Sequence, residues 1–430
     1  MAAAPRELRP QNAGSAGGSR SSGLDPRRLR REFPIFERNP GLVFLDSGAS
    51  AQKPRQVIDG IAEFYRSDYA NVHRGVYQLS ARSTDRFEEA REKVRAFLNA
   101  ADEREIVFVR GATEALNLVA QSWGPAHLHA GDEVVISDVE HHSNLVPWQM
   151  LCRRMGAHLV VAPTDATGEF DLARFEALLS PRTRLVAVTH ISNVTGALLP
   201  VERIVELART SRGGDGGALV LIDGCQAVPR LPVDVRALGC DFYAFSGHKA
   251  YGPTGTGVLY GRFDALLSMP PWQFGGGMIT NVTYKETEFQ EPPHRFEAGT
   301  PDIAGAVGLA HAIDFIEGLG RAAIREHEAA LTGYGVDRLS RIPGVQLVGG
   351  GQHRLSILSF NLDGVHPHDV GTVLDQHKIA VRVGHHCAQP LMDKLGIAGT
   401  VRASLGVYND EADIDRLAEA IEACREMFSR

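Results

Sequence analysis

The sequence predicts an α/β protein in which a large domain with a mostly parallel, seven-stranded sheet precedes a small α+β domain at the C-terminus. Strand-like and helix-like segments alternate over the first two thirds of the chain. The strands are nearly continuous apolar runs, as expected when helices cover both faces of a parallel sheet. After about residue 303 the alternation gives way to long helices and shorter strands.

The first stretch is rich in Gly, Ser, Ala and Arg and almost free of apolar residues, which suits a disordered tail, taken as 1–30. Its Arg and Ser content with few acids resembles an organelle transit peptide, but it is short and lacks an amphipathic apolar face. From Asp85, Phe87, Ala90, Val94, Phe97 and Leu98 recur at helical spacing. Strands are then expected at Ile106-Val109, Glu133-Ile136, Leu159-Ala162, Leu185-Thr189, Leu219-Ile222, Phe242-Phe245 and Gly257-Tyr260. Helices are expected between them near Thr113-Ser122, Leu145-Met155, Phe170-Leu179 and Val201-Thr210. An Ala- and Ile-rich helix at Ile303-Leu319 carries the boundary, placing the large domain at 31–315 and the small one at 316–430. The small domain reads as a helix near Ala322-Leu339, then Ser356-Asn361, Val370-Gln376, Ala380-Val383, Val401-Ser404 and a closing helix from about Asp413.

Composition narrows the function. With 43% hydrophobic and 23% charged residues among 430, the chain has the material for a large core. A net charge of −7 argues against a nucleic-acid partner. No apolar run reaches the roughly 18 residues that span a bilayer, so no membrane association is expected. Five cysteines, scattered without CxxC spacing, suit a reducing compartment. The cytoplasm is therefore expected, or a plastid or other organelle if the tail is a transit peptide.

The most informative segment is Ser246-Gly247-His248-Lys249, which ends an apolar run and precedes a Gly-rich stretch. A lysine there suits a Schiff base to an aldehyde cofactor beside a phosphate, which points to pyridoxal 5'-phosphate. Asp223, at the end of another strand, can pair with the protonated pyridine nitrogen and keep the ring an electron sink. Alone, either residue reads better as a surface lysine or a strand-end cap; together they favour a cofactor site.

Other strand ends add to it. Arg110-Gly111-Ala112-Thr113 offers a hydroxyl and a helix start for a phosphate, and the same hydroxyl can cap the helix. His141 and His142 lie at the rim, where a flat ring can stack on the pyridine and carry protons. Asn193 is placed to donate to the ring hydroxyl or to a substrate carboxylate. In the second domain, Arg382-Val-Gly384-His385-His386-Cys387 sets a thiol beside two imidazoles and an arginine, a setting that favours thiolate. A metal reading of that loop is weaker, because adjacent side chains seldom converge on one ion, and no metal is expected. Arg402 can clamp a substrate carboxylate, a salt bridge within the domain being the alternative.

These motifs, with Asp46-Ser-Gly-Ala-Ser50, Asn71-Val-His73-Arg74-Gly75, Asp223-Gly-Cys-Gln226 and Arg295-Phe-Glu-Ala-Gly-Thr300, closely resemble group II cysteine desulfurases of the SufS type. That family comprises class V aminotransferase-like, fold-type I pyridoxal-phosphate enzymes. The resemblance implies a homodimer with active sites near the interface, Thr300 reaching the phosphate of the neighbouring subunit's cofactor. It implies Thr113, Ser246 and His248 at the phosphate with Ala112, Gln226 at the ring hydroxyl, and His141 stacked on the ring. It places Asn193, Arg382 and Arg402, with His73 and Arg74, around the substrate.

The implied reaction converts L-cysteine to L-alanine. Lys249 moves the Cα proton, His141 accepts the thiol proton, and Cys387 takes the sulfur as a persulfide for an iron–sulfur assembly acceptor. A selenocysteine lyase or a β-eliminating C–S lyase of the same fold is the alternative. Val365-His366-Pro-His368-Asp369 resembles the subset that works with the zinc-containing acceptor SufU rather than SufE, His368 serving as a ligand to the partner's zinc. An exposed histidine capping the next helix is the plainer reading, and Cys225 is a candidate second thiol beside the cofactor.

Overall fold

The computed structural model describes residues 23–165, 168–211, 217–349, 351 and 353–428. The seven expected strands form one sheet, in the spatial order Ile106–Val109, Gly257–Gly261, Phe242–Ser246, Leu219–Asp223, Thr183–Thr189, Glu133–Ser137 and His158–Ala162. Gly257–Gly261 runs antiparallel to both neighbours, and all other pairings are parallel. The other six strands therefore point one way and end on one edge.

Both faces of the sheet are covered, which is why its strands read as unbroken apolar runs. In Thr183–Thr189, Val186 and Val188 pack into one core with Ile204 and Ala208 of the helix Val201–Thr210. Leu185 and Ala187 pack into the other with Ala115, Leu116 and Val119 of the helix Ala112–His127. Each such side chain, fully buried, contributes about 1.5–3 kcal/mol for Val or Leu.

A second, antiparallel sheet has the order Val345–Val348, Ile357–Leu362, Thr400–Ser404 and Arg382–Gly384. Helices Arg321–Ser340, Pro367–Gln376 and Glu411–Phe428 cover it, with Leu331, Leu374 and Leu417 sharing a core with Leu358 and Phe360. The helix Ile303–Leu319 keeps its expected bounds and packs against Arg55–Ser67 and Gln78–Leu98. Gly320, at φ +82°, turns the chain into the next helix.

Several expectations change. Most of the proposed tail, residues 1–22, lies outside the described residues, but Pro26–Leu29 is already helical, and Arg30 pairs with Asp413 at 3.2 Å. The expected strand Ala380-Val383 is two pieces. Ile379–Ala380 pairs with Val43–Phe44, while Arg382–Gly384 pairs with Thr400–Ser404, because the chain changes partner at Val381. An N-terminal segment assigned by sequence to the large domain is thus stitched to the C-terminal half. The helix Arg55–Ser67 was not expected, although its apolar residues fall on one face; only Val57 and Phe64 in it are fully buried. Nor were the helix Gln389–Leu395 and the hairpin Ile279–Val282 with Thr287–Phe289.

Gly257 lies where the antiparallel strand, second from the edge of the sheet, passes the start of the helix Ala112–His127. A Cβ there would stand 2.5 Å from Gly111 Cα and 2.7 Å from Phe245 O, both backbone atoms that cannot rotate away. Gly257→Val should therefore cost about 3 kcal/mol, read as a lowered urea midpoint. Wild-type stability in this variant would contradict the close approach.

Candidate active site

Strand ends of the large sheet and one loop of the small sheet enclose a pocket of about 200 Å³. Ala112, Thr113, His141, Asn193, Asp223, Ser246, His248, Lys249, Arg382, Cys387 and Arg402 line it, together with Gly48, Ala49, Ser143, Cys225 and His386. Residues far apart in sequence meet here because the parallel strands deliver their ends to one edge.

One corner is built for an anion. The first N–H groups of the helix Ala112–His127 have no intrahelical acceptor; Ala112 N donates to Ser246 Oγ at 2.9 Å. Thr113 Oγ1 and Ser143 Oγ are hydrogen-bonded at 2.7 Å. Beside them Lys249 ends a 3-10 turn whose His248 carbonyl accepts from Ala51 N and from Lys53 Nζ, each at 3.0 Å. Burial lowers the Lys53 pKa to about 8.

Asp223 is buried and accepts the Cys225 N–H at 3.0 Å. The thiol of Cys225 lies 3.7 Å from Ser246 Oγ, and burial pushes its pKa up to about 12. It is a neutral wall of the pocket rather than a second nucleophile.

Above the floor stands His141, whose pKa is lowered to about 4 by burial and then by the Lys249 ammonium. Its ring is neutral at neutral pH, with Nδ1 accepting from Ser143 N at 3.1 Å. The preceding Glu140, wholly buried, accepts from Asn144 Nδ2 at 2.6 Å, Thr189 N at 2.8 Å and Ser137 Oγ at 2.5 Å. Burial raises its pKa to about 8. This carboxyl ties the His141 turn to the neighbouring strand end.

The thiol arrives on a strained loop. His386 and Cys387 have φ +51° and +56°, two successive non-glycine residues in the left-handed region, each costing about 1–2 kcal/mol. Hydrogen bonds offset that cost. Asn193 Nδ2 donates to His386 O at 2.7 Å, His142 N to Cys387 O at 2.6 Å, and Gln389 N to His142 Nε2 at 3.0 Å. Cys387 itself is exposed. Of the two imidazoles expected to favour its thiolate, His386 adds no charge at neutral pH, because burial and then Arg402 depress its pKa to about 3.

Arg402, 2% exposed, donates to Asn193 O at 2.9 Å and to Asp46 Oδ1 at 3.2 Å. Its Nε and the Oδ1 of Asn193 have no partner although both are buried. Unpaired buried polar atoms facing a pocket mark where a ligand's polar groups belong. The set fits pyridoxal 5'-phosphate: an anion corner, a lysine amine, a buried carboxylate, and an imidazole with a small residue as walls.

Not every expected residue is here. Gln226 donates from Nε2 to Gly48 O at 2.7 Å and accepts at Oε1 from Arg230 at 3.0 Å, and is not among the lining residues. His73, Arg74 and Thr300 are exposed and line a different cavity with His294 and Gln290. There His73 Nε2 is 2.8 Å from Glu88 Oε1. His368 is remote, on the exposed start of Pro367–Gln376; the helix cap is His366, and the His368 ring stacks on it. Gly48 and Ala49 went unremarked as lining residues, although they sit inside a quoted motif; Ser143, next to the histidine pair, was the legible signal missed.

The neutral imidazoles make stability fall in acid. His141, His190, His248 and His386 have folded pKa values of about 4, 4, 4 and 3, below the ordinary 6.5, so the unfolded chain binds more protons between those limits. Their stabilising effect is complete above about pH 6.5 and is lost as pH falls towards 4. Urea midpoints should drop progressively through that window; a flat profile would contradict buried neutral rings.

The aminotransferase class-V family model matches residues 43–417. A probable cysteine desulfurase of Mycobacterium leprae is 51% identical over 91% of this chain, which spans only 64% of that relative. A cysteine desulfurase of Enterobacter sp. is 50% identical over 92% of this chain and 97% of its own. The crystal structure of the cysteine desulfurase CsdA from Escherichia coli superposes with a TM-score of 0.86 at 40% identity, covering 94% and 99% of the two chains. With this fold, this pocket and these relatives, the chain belongs to the class-V aminotransferase family, in the branch that holds the cysteine desulfurases.

Proposed function

We propose that the protein is a pyridoxal-phosphate-dependent cysteine desulfurase of the SufS type, converting L-cysteine to L-alanine and passing the sulfur to an iron–sulfur assembly acceptor. The observation that carries this reading is an exposed thiol, Cys387, held over a pocket that also contains Lys249, Asp223 and His141.

Lys249, Asp223, Ser246, His248, Ala112 and Thr113 would hold the cofactor, which supplies an electron sink for the substrate Cα. The Lys249 amine takes and returns the Cα proton. The lone pair of neutral His141 lies on Nδ1, where Ser143 N–H now binds, so accepting the substrate thiol proton requires that contact to open. Arg402, Arg382 and Asn193 orient the carboxylate. The Cys387 thiol forms an S–S bond to the substrate sulfur as the C–S bond breaks, leaving an enzyme persulfide. The substrate carbon gains a proton and departs as alanine, so two thiols become one persulfide and one C–H bond.

This reading includes a homodimer, in which His73, Arg74 and Thr300 approach the other subunit's pocket, Thr300 at its phosphate. Its support is that the three lie together yet outside their own pocket. It places the enzyme in a cytoplasmic SUF system, which suits five cysteines without CxxC spacing. Exposed His368 is the ligand offered to the zinc of a SufU-like acceptor.

Treated with L-cysteine, the holoenzyme should carry one added sulfur on the Cys387 peptide by mass spectrometry. Cys387→Ala should bind cofactor yet lose at least about a hundredfold in sulfide release; retained activity would remove Cys387 from the mechanism. His368→Ala should keep reductant-driven turnover while losing stimulation by a zinc acceptor, and unchanged stimulation would exclude that role.

A further inference from the structure

Asp46 has no part in the mechanism above, yet its carboxylate meets the group that would bind the substrate's. It lies just beyond the strand Val43–Phe44 and bridges to Ser404, two residues after Arg402 on the same strand. Of the five N–H donors on Arg402, one goes to Asn193 O at 2.9 Å and one to Asp46 Oδ1 at 3.2 Å, while Nε–H is free. The side chain of Arg402, which lines the pocket, is 3% exposed and that of Asp46 24%. Burial raises the Asp46 pKa, and Arg402 and then Arg382, which also lines the pocket, act against that rise. Of the two arginines that line the pocket, Arg402 is thus already partly matched by the Asp46 carboxylate before any substrate carboxylate arrives.

We propose that Asp46 is a resident counter-carboxylate that holds Arg402 and competes with the amino acid's own carboxylate, setting how weakly the pocket retains substrate and product. An α-carboxylate entering this clamp uses the free Nε–H and shares the guanidinium with Asp46, against like-charge repulsion. An amino acid that has lost its sulfur is then released rather than trapped between two arginines. The amino-acid ligand rests on the desulfurase reading; the charge balance at Arg402 does not.

The test compares wild-type holoenzyme with Asp46→Asn and, should that variant fold poorly by its Tm, Asp46→Ser. The ligand is L-alanine, bound without turnover and followed by calorimetry, with the KM for L-cysteine measured alongside. Removing the fixed charge should tighten L-alanine binding by about fivefold or more at low salt, lower KM in parallel, and lose part of the gain as chloride is added. A purely structural Asp46 predicts the reverse: a misplaced Arg402, with weaker L-alanine binding and a raised KM. That result, or unchanged affinity, overturns the proposal. If the wild type makes no alanine from L-cysteine, the desulfurase reading fails while the L-alanine arm still reports on Asp46; intact turnover without tighter binding faults Asp46 alone.

Discussion

Everything in the site depends on how the Cys387 loop is latched to the carboxyl edge of the large sheet. The parallel strands bring Asp223, Asn193, His141 and the Lys249 turn to that edge. The thiol belongs to the other sheet and reaches them on two left-handed residues, a conformation that holds only while its carbonyls are engaged. Asn193 and His142 supply those donors, and Arg402 in turn holds Asn193. Strain in the Cys387 loop is therefore offset by polar groups that stand at the carboxyl edge of the large sheet, and Asn193 and Arg402, proposed to bind substrate, double as supports for that loop.

Burial also sorts the charges. His141, His248 and His386 are kept neutral, and the thiol of Cys225 is kept protonated. That leaves the work of fixing anions to arginines and helix N–H groups, while the neutral His141 ring takes up the Ser143 N–H on its Nδ1. Glu140 stiffens the turn below it through three hydrogen bonds without entering the pocket.

Much of this was legible in the sequence, because its signals are local. Apolar runs ending in Asp223, Asn193, Ser246 and Lys249 announce strand ends, and a parallel sheet dictates that strand ends meet. What stayed hidden depends on contacts between distant segments. Nothing local indicates that Val43–Phe44 would pair with Ile379–Ala380, or that the run Ala380-Val383 would divide between two sheets. Gln226 lies next to the site in sequence, but Gly48 and Arg230 occupy its amide. His73, Arg74 and Thr300 share a motif-level likeness with site residues while lying elsewhere on the surface, since motif spacing carries no information about where a loop sits relative to the pocket.

The central claim is that sulfur leaves L-cysteine without elimination. The most direct measurement incubates the wild-type holoenzyme with L-cysteine and a reductant and follows alanine, sulfide and pyruvate together. The account predicts alanine and sulfide in equal amounts and no pyruvate. Pyruvate and ammonia in place of alanine would contradict it and make the protein an eliminating lyase on the same scaffold.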